Sequence, residues 1–422
     1  MKIKSLILGS VAAAGLSTSA MAADLGTVLT SLDVCDALGI SGLTISSDTN
    51  CLSITGGVAY SFKFGDYNGN QVIRNAGGHT TSIADNDGVA PLTNDWDSQV
   101  DAWLKFVGTA DSSFGPASAT IKLDFDQDVA YDNEALGPAG DQLDRLRVEE
   151  AYVSIGDTTV LMAGLKGSIA NWGDDKPLNW LGLFHSNGVN KGVRAATTTS
   201  TGGHVIQVTS DLGNGVSVAG GLEDLGGLGS AVGVLAYSGN GIDAHATVAA
   251  DDVLTGAISS WEVHTGITAT VDMFTIGGAV AFDSTSYWNA MATASATFDM
   301  FTLAASVEGT STNELGVGVS ASAEVTDGVT INAGFSWFDS NTTLANTEGY
   351  QAAVQLVAAV TETITLTGEV GVWSENTTPA SVFYGAGKVA WAPGGGFTSS
   401  VEGKYFANGA YSVQFKAAKN FE

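Results

Sequence analysis

The sequence predicts an all-β chain that closes into a transmembrane antiparallel barrel. Three observations support this fold class. Apolar residues alternate with polar ones along most of the chain, short turns alternate with longer polar loops, and only 14 % of the residues are charged. An ordinary soluble domain has about 25 % charged residues. A barrel whose outer surface contacts lipid accounts for the low fraction, because that surface is itself apolar.

The composition excludes several other classes of protein. Asp and Glu number 44 against 16 Lys and Arg, and the resulting formal charge of −28 has the wrong sign for a nucleic-acid binder. The 54 glycines are too scattered for collagen, and they come with only 6 prolines, unlike those of a disordered chain. Beyond the N-terminus no apolar run reaches the roughly 18 residues of a transmembrane helix.

The N-terminus has the pattern of a cleaved secretory leader. Lys2 and Lys4 precede an apolar stretch at 6–16, and Ala20-Met21-Ala22 provides an A-x-A cleavage site. We therefore expect residues 1–22 to be a signal peptide, and its removal changes the formal charge to −30. A membrane anchor is the alternative, but the apolar stretch is too short for one.

The chain has two cysteines, Cys35 and Cys51. An exported protein meets an oxidising environment, so an even pair predicts one disulfide. It would close a loop of about 17 residues and stabilise the fold by about 3 kcal/mol through the unfolded chain. Two free buried thiols are the alternative, and no nearby histidine favours a metal. We expect residues 23–50 to form an N-terminal periplasmic segment and 51–422 the barrel.

Period-2 alternation marks the individual strands. Over 329–337, the aliphatic and aromatic residues share one face, and small or polar residues share the other. The stretches 301–307, 364–372 and 397–405 repeat this division. A soluble β-sandwich or a secreted β-solenoid also alternates, but it places its charges outside. A polar inner face that is this consistent over so many strands favours the barrel.

Turn signals give the number of strands. Short turns such as Gly239-Asn240-Gly241 alternate with longer polar segments such as 66–94 and 130–142. Tight periplasmic turns and longer external loops are typical of outer-membrane barrels. The sheet must close, because each unpaired backbone group at an edge costs several kcal/mol in lipid. The turn count predicts 18–20 strands.

Several segments resemble the general porins of alphaproteobacteria, of the rhizobial type. The most specific is the paired-cysteine N-terminus, Val34-Cys35-Asp36-Ala37 followed by Cys51-Leu52. Glu150-Ala151-Tyr152-Val153 and Gly395-Gly396-Phe397-Thr398 also match, in order along nearly the whole chain. The resemblance implies a homotrimer of 16-stranded barrels, each narrowed by an inward-folded third external loop.

This resemblance also sets the expected location and partners. The protein is expected in the bacterial outer membrane, among lipid and lipopolysaccharide. The last strand alternates and ends on the aromatic Phe421, which resembles the signal read by the barrel assembly machinery. No cofactor, metal or nucleic acid is expected. Acidic loop pairs, Asp85 with Asp87 and Asp251 with Asp252, could bind divalent cations that bridge lipopolysaccharide, but solvated charge is the simpler interpretation.

Alternation assigns charged side chains to the inner face of the first predicted strands. The aliphatic and aromatic residues of these strands face lipid, and the inward set is Lys63, Asp97, Asp101, Lys105, Lys122, Asp124 and Asp126.

The fourth predicted strand has two possible registers. One exposes Glu150 to lipid together with Tyr152, and the other exposes Arg145, Arg147 and Glu149. A charge on the lipid face costs about 2–4 kcal/mol at mid-membrane for Arg or Lys. The first register is therefore favoured, and it places both arginines and Glu149 in the pore.

The segment 166–202 lacks clean alternation and contains Asp174, Asp175 and Lys176. By its position it resembles the constriction loop of the porin family. If it folds inward, its acidic residues face the basic residues of the wall, and the transverse field between them sorts ions by charge. The alternative is an ordinary surface loop with solvated charges.

The sequence predicts a passive, water-filled outer-membrane channel for small hydrophilic solutes and ions. No enzyme is expected, because G-x-S-x-G, P-loop and dinucleotide motifs are missing and the five histidines are isolated. A substrate-specific channel is one alternative, with Trp103, Trp373 and Phe406 on the inner face. A non-conducting adhesin or structural protein is the other.

The expected inner face favours cations by a modest margin. Its six basic residues are Lys63, Lys105, Lys122, Arg145, Arg147 and Lys404. Its ten acidic residues are Asp97, Asp101, Asp124, Asp126, Glu149, Asp174, Asp175, Glu308, Glu369 and Glu402. The sequence therefore predicts weak cation selectivity.

Overall fold

A computed structural model describes residues 32–67, 71–74, 80–84, 95–131, 143–172, 192–196, 199–342, 345–376 and 381–422. In these ranges the chain has one short helix, α1 (Leu32–Ala37), one 3-10 turn (Val253–Thr255) and 23 strands. The strands are β1 (Thr44–Ser46), β2 (Cys51–Asp66), β3 (Gln71–Arg74), β4 (Thr80–Ala84), β5 (Asp95–Ala110), β6 (Ala117–Tyr131), β7 (Leu143–Gly156), β8 (Thr159–Lys166), β9 (Gly203–Gly213), β10 (Val216–Glu223), β11 (Ser230–Gly239), β12 (Ile242–Asp251), β13 (Trp261–Val271), β14 (Phe274–Asp283), β15 (Trp288–Phe298), β16 (Phe301–Thr310), β17 (Glu314–Thr326), β18 (Val329–Thr342), β19 (Ala345–Ala359), β20 (Ile364–Glu375), β21 (Val382–Gly394), β22 (Phe397–Phe406) and β23 (Tyr411–Phe421).

Twenty of these strands, β2 and β5 to β23, form one closed antiparallel barrel. Each strand pairs with its neighbour in sequence, and the sheet closes where β2 pairs with both β5 and β23. Closure pairs the backbone groups of both edges. The predicted barrel is confirmed, and its strand number is the upper end of the turn count. The 16 strands implied by the family resemblance are wrong for this chain.

The two ends of the barrel differ in their connections. At one end, the short-turn rim, neighbouring strands join through two-residue turns that place Asn214, Asn240, Asp272 and Asp299 in the left-handed backbone region. Asn and Asp tolerate that conformation better than other residues with a side chain. At the other end, the long-loop rim, the third connection is the 36-residue segment 167–202, here called the third loop.

The outer face is apolar and bordered by aromatic side chains. Trp261 contacts Phe282 at the long-loop rim, with ring centroids 5.9 Å apart, and Phe274 contacts Phe298 at the short-turn rim, at 6.4 Å. Phe274 and Phe282 lie eight residues apart on β14, or about 26 Å along a strand. An apolar band of about 25 Å between two aromatic belts is the outer surface expected of a barrel in lipid.

The N-terminal segment completes the seam of the barrel. Strand β2 begins at Cys51, five residues before Gly56, where its pairing with β23 starts. Strand β1 pairs with this projecting part of β2. The disulfide between Cys35 and Cys51 ties α1 to the same place, with an S–S distance of 2.04 Å and both residues buried. The predicted disulfide is therefore confirmed, while the predicted signal peptide at 1–22 lies outside the described residues.

In the part of the chain that the structure describes, no helix is long and apolar enough to cross a membrane.

Candidate functional site

The inner face of β2, β5, β6 and β7 is a wall of mixed charge. Cross-strand register places Lys63 opposite Asp97, and Asp101 opposite Asp126, on this face. Lys105 lies opposite Lys122, an arrangement of like charges that needs nearby anions. All seven charged residues assigned to the inner face of the first three strands therefore share one wall.

Three ion pairs neutralise most of the basic groups on this wall. Lys105 contacts Glu150 at 3.0 Å, Lys122 contacts Glu149 at 2.5 Å, and Arg147 contacts Asp124 at 2.5 Å. These pairs are partly exposed to the lumen, so each contributes little to the free energy of unfolding and mainly fixes the positions of its two side chains. Arg145 lies opposite Asp126 on the same face and is exposed.

A β-bulge at Glu149 resolves the two registers of β7. The pairing runs from Lys122 opposite Glu150 directly to Leu123 opposite Val148, which leaves Glu149 as the extra residue. Arg145 and Arg147 point inward before the bulge, as expected. The expectation that Glu150 and Tyr152 face lipid is wrong, because the bulge reverses the alternation and turns both inward. The ammonium of Lys166 lies 5.1 Å from the Tyr152 ring.

The third loop leaves and returns along the opposite inner wall. At its neck, the buried carboxylate of Glu223 accepts hydrogen bonds from the backbone N–H of Ile169 at 3.0 Å and of Gly202 at 2.6 Å. The amide of Gln207 donates to the same carboxylate at 2.8 Å and to the carbonyl of Gly167 at 2.9 Å. One acidic side chain thus joins both stems of the loop.

The returning part of the loop, here called the return limb (192–196 and 199–202), crosses the wall strand by strand. The backbone N–H of Arg194 donates to Asn289 on β15 at 2.8 Å. The N–H of Ala196 donates to Asp283 on β14 at 2.9 Å, and that of Thr199 donates to Glu262 on β13 at 3.1 Å. Each strand supplies an acceptor at its long-loop end, so the limb runs around the barrel wall.

Two further contacts place the loop inside the barrel. The backbone N–H of Asn171 donates to Thr247 on β12 at 3.2 Å, deeper in the barrel than the neck. Val193 is buried in an apolar cluster with Ala279, Ala281 and Met291 on the inner wall. The described parts of the third loop therefore line the inner wall of β10 to β15. Asp174, Asp175 and Lys176 lie outside the described residues.

Two histidines lie beneath the return limb. His245 Nε2 and His264 Nδ1 are 2.9 Å apart, and the two rings stack with an interplanar angle of 8°. His264 is buried, and the backbone of Val193 on the return limb lies next to it. A hydrogen bond between two imidazoles requires one nitrogen to accept, so at least one of the pair is neutral.

The acceptors at the end of the return limb are themselves held in place. Asn289 donates from its amide to Glu308 on β16 at 2.8 Å, which orients its oxygen toward Arg194. Tyr287, in the connection between β14 and β15, lies near the guanidinium of Arg194. Burial, followed by the charge of Glu314, raises the pKa of the Tyr287 phenol to about 12, so the phenol stays neutral at ordinary pH.

A chain of buried hydrogen bonds stiffens the wall from β17 to β21. Its members are Ser322, Asn332, Gln355, Glu369 and Tyr384, and each contacts the next at 2.6–3.1 Å. Every member lies on the inner face of a different strand. Full satisfaction of such a network favours one arrangement of the wall.

The inner-face aromatic residues pack mainly into the wall. Trp373 and Phe406 are only 3 % and 4 % exposed, and they form an apolar cluster with Tyr384, whose ring lies 5.8 Å from that of Phe406. Trp103 lies below Lys122, whose ammonium is 5.6 Å from the ring. Two of the three expected aromatic positions therefore offer little surface for a passing solute to stack on.

Sequence analysis missed the residues that hold the third loop. Each of these residues lies at the long-loop end of a strand: Glu223, Glu262, Asp283 and Asn289. A polar residue at that position is also expected of an ordinary strand end in water, so it does not indicate a loop anchor. The available signal is alternation, since each of these residues continues the inward face of its strand. Alternation does not reveal that a loop will donate its backbone N–H groups there.

A family profile described as a porin subfamily matches residues 31–422 of the chain. The porin Omp2a of Brucella melitensis biotype 1 is 28 % identical over 297 residues, which cover 62 % of this chain and 73 % of Omp2a.

Among solved structures, OccAB4 of Acinetobacter baumannii aligns with 89 % of this chain and 99 % of its own, at a TM-score of 0.49 and 11 % identity. A mutant porin of Rh. blastica aligns with 88 % of this chain and 100 % of its own, at a TM-score of 0.39 and 13 % identity. The profile match spans the barrel described above together with the N-terminal disulfide. The chain therefore belongs to the porin subfamily, a group of outer-membrane channel proteins.

Proposed function

We propose that this porin is a general diffusion channel whose narrowest part is formed by the third loop, and that it has a weak preference for cations. The observation that carries the proposal is the attachment of the third loop to the inner wall of the barrel. Both stems and the return limb bond to the inner wall of β10 to β15, so the loop occupies cross-section that would otherwise be open. A constriction built this way admits small hydrophilic solutes without a dedicated binding site.

The proposed constriction lies between two walls of different character. The wall of β10 to β15 presents carboxylates to the loop and, in the described residues, no Lys or Arg on its inner face. The wall of β2 to β7 carries Lys63, Arg145 and Arg147 together with carboxylates. Asp174 and Asp175, at the part of the loop between its two described limbs, would face this second wall. The field between them orients dipolar solutes and sorts ions.

Weak cation preference follows from the balance of charge near the path. The ion pairs of Lys105, Lys122 and Arg147 leave little net positive charge on the mixed wall. Lys63 and Arg145 offset two of the three remaining carboxylates on this wall, Asp97, Asp101 and Asp126, so its net charge is only slightly negative. External loops contribute less, because charges beyond about 8–10 Å are screened at physiological salt.

The trimer remains part of the proposal and is supported by family membership. The same holds for contacts with lipopolysaccharide and for insertion by the barrel assembly machinery, to which the aromatic end of β23 at Phe421 is suited. Chemical cross-linking of the detergent-solubilised protein, followed by denaturing electrophoresis, would display the assembly state.

Planar bilayer recording tests the channel function directly. The purified protein should add discrete steps of ion conductance, and the reversal potential in a salt gradient should have the sign of a weak cation preference. Polymers of increasing size should stop reducing the conductance once they are excluded from the constriction. Folded protein that inserts and gives no steps would favour a structural outer-membrane protein. Block by one solute at low concentration would favour a substrate-specific channel.

A further inference from the structure

We infer that Glu223 is the positioning residue that fixes the third loop, and with it the width of the pore. The inference rests on the proposed function only where it concerns the pore. Its structural part concerns the neck, where one carboxylate receives the backbone N–H groups of Ile169 and Gly202, 33 residues apart in the sequence. Among the described contacts within the loop, this one joins the outgoing stem to the returning stem, next to the place where the β8–β9 ladder pairs Lys166 with Gly203.

The carboxylate at the neck is buried and fully engaged. Glu223 is 0 % exposed, as is Gln207, whose amide donates to it at 2.8 Å. Three N–H donors therefore surround the two oxygens, and no solvent competes for them. Hydrogen bonds to an ionised acceptor are about twice as strong as neutral ones, and they are stronger still away from water.

The backbone around Glu223 is built to receive the loop. Gly221, two residues earlier on the same inner face, leaves space for the loop: a Cβ there would lie 3.0 Å from Gln207 Cγ and 3.5 Å from Ile169 Cδ1. Gly202 and Gly203 have φ angles of 77° and 74°, which allow the return limb to turn sharply into β9. The carbonyl of Gly202 also accepts from the N–H of Asp224 at 2.7 Å.

The position of the neck determines what the remaining anchors can do. The other anchors each bind one limb only. The return limb is held by Asn289, Asp283 and Glu262, and the outgoing limb is held by Thr247. If Glu223 no longer joins the stems, only the β8–β9 ladder at Lys166 and Gly203 holds the two limbs together at their base, so the limb anchors separate more readily. The loop then samples displaced positions while the barrel wall stays closed, because its ladder bonds do not involve the loop.

Three variants at Glu223 differ in how many hydrogen bonds to the two stems they can keep. E223A removes both acceptors. E223Q keeps one acceptor oxygen but places an amide N–H₂ group against the other stem, and E223D keeps the charge on a side chain one methylene shorter. We expect E223A to displace the loop most. Loss of one charge-assisted hydrogen bond should raise the ratio of displaced to seated loop by about tenfold.

A matched control is E369Q. Glu369 is also a buried inner-wall carboxylate, 3 % exposed, and it accepts hydrogen bonds from Gln355 and Tyr384 on neighbouring strands. Its replacement should disturb the wall from β19 to β21 without releasing the neck. A general loosening of the barrel would affect both variants alike.

Trypsin cleavage within the loop reports its position without requiring a conducting channel. Lys191 and Arg194 are the cleavage sites between the two stems, since Lys176 precedes Pro177 and is not cleaved by trypsin. Cleavage of the folded protein in detergent should be slow in wild type and in E369Q, and about tenfold faster in E223Q and more so in E223A, when opening is fast relative to cleavage. The heat-dependent shift in electrophoretic mobility shows that each variant is a closed barrel.

Bilayer recording of the same samples then tests the effect on the pore. E223A should give a larger and more variable step of conductance than wild type, and it should admit larger polymers. Equal cleavage in folded wild type and E223A would overturn the inference, as would equal acceleration in E369Q. If wild type itself gives no conductance, the proposed function fails, and the cleavage rates still decide the role of Glu223. If E223A does not fold, E223Q and Q207M provide the same comparison.

Discussion

Lys122 and Glu149 form an ion pair of 2.5 Å in which the carboxylate belongs to the extra residue of a β-bulge. The bulge has a consequence for the whole strand. Before it, Arg145 and Arg147 point inward, and after it Glu150 also points inward. A regular strand of the same sequence would place at least one of these charges in lipid.

Deletion of Glu149 should therefore be tolerated, as should E149Q. Without the extra residue β7 alternates regularly, so Arg147 and Glu150 both stay inward and no Arg meets the cost of about 2–4 kcal/mol at mid-membrane. The ion pair itself is partly exposed, so E149Q should lose less than about 1 kcal/mol. The measurement is the fraction of heat-modifiable protein after refolding in detergent. Failure of the deletion variant to assemble would contradict this account of the bulge.

The bulge also shows where sequence reasoning succeeds and where it stops. The even pair of cysteines in an exported chain predicted the disulfide next to the first strand, and alternation predicted the barrel and the inward position of Lys63, Lys105 and Lys122. Reasoning from alternation assumes that the period of two is unbroken along a strand, so it placed Glu150 on the lipid face instead of the inner face. The strand number taken from the family was also wrong, because added hairpins keep the alternation and leave no local signal other than more turns.

The seat of the third loop was predictable only in outline. Loss of alternation after Lys166 marked the loop, and family position implied an inward fold. Its anchors are backbone N–H groups, which carry no sequence signature. The matching acceptors, such as Glu262 and Asp283, look like ordinary polar residues at strand ends. Contacts between a backbone and distant side chains depend on the closed tertiary structure.

The disulfide between Cys35 and Cys51 should stabilise the N-terminal segment more than the barrel. Replacement of both residues by Ser removes a cross-link worth about 3 kcal/mol in the chain-entropy model. The barrel ladder stays complete, so C35S/C51S should still migrate as a folded band that unfolds at lower temperature. Mass spectrometry of unreduced wild type should show the linked peptides. Two alkylatable thiols in freshly isolated folded protein would contradict the pairing.

Neutral substitution of the loop acids should change selectivity. In D174N/D175N the reversal potential in a salt gradient should move toward anions, because two negative charges leave the proposed constriction. D85N/D87N is the matched control, since it removes the same charge from the first loop, where screening reduces its effect on ions. Unchanged potentials in both variants, or an anion preference in wild type, would rule out 166–202 as the selective constriction.

Acid should loosen the return limb through His245 and His264. Their 2.9 Å contact needs a neutral acceptor nitrogen, whereas two imidazolium rings have only donors and repel each other. The seated limb also covers His264, and burial disfavours the charged imidazolium. The seated loop therefore binds fewer protons at this pair than the displaced loop does, so seating weakens as the pH falls.

The measurement is the rate of trypsin cleavage of the loop, or the variance of the open-channel current, at about pH 7.5 and about pH 5.5. Cleavage rates are corrected for the activity of trypsin on an unfolded substrate at each pH. Glu262, two residues before His264 on the same strand, and Asp283 on β14 also accept N–H groups from the return limb, and Asp243 lies two residues before His245 on β12. H264Q keeps a hydrogen-bonding side chain but cannot acquire a charge, and it should remove the difference between the two pH values. A difference of the same size in wild type and H264Q would assign the acid response to the carboxylates instead of the histidine pair.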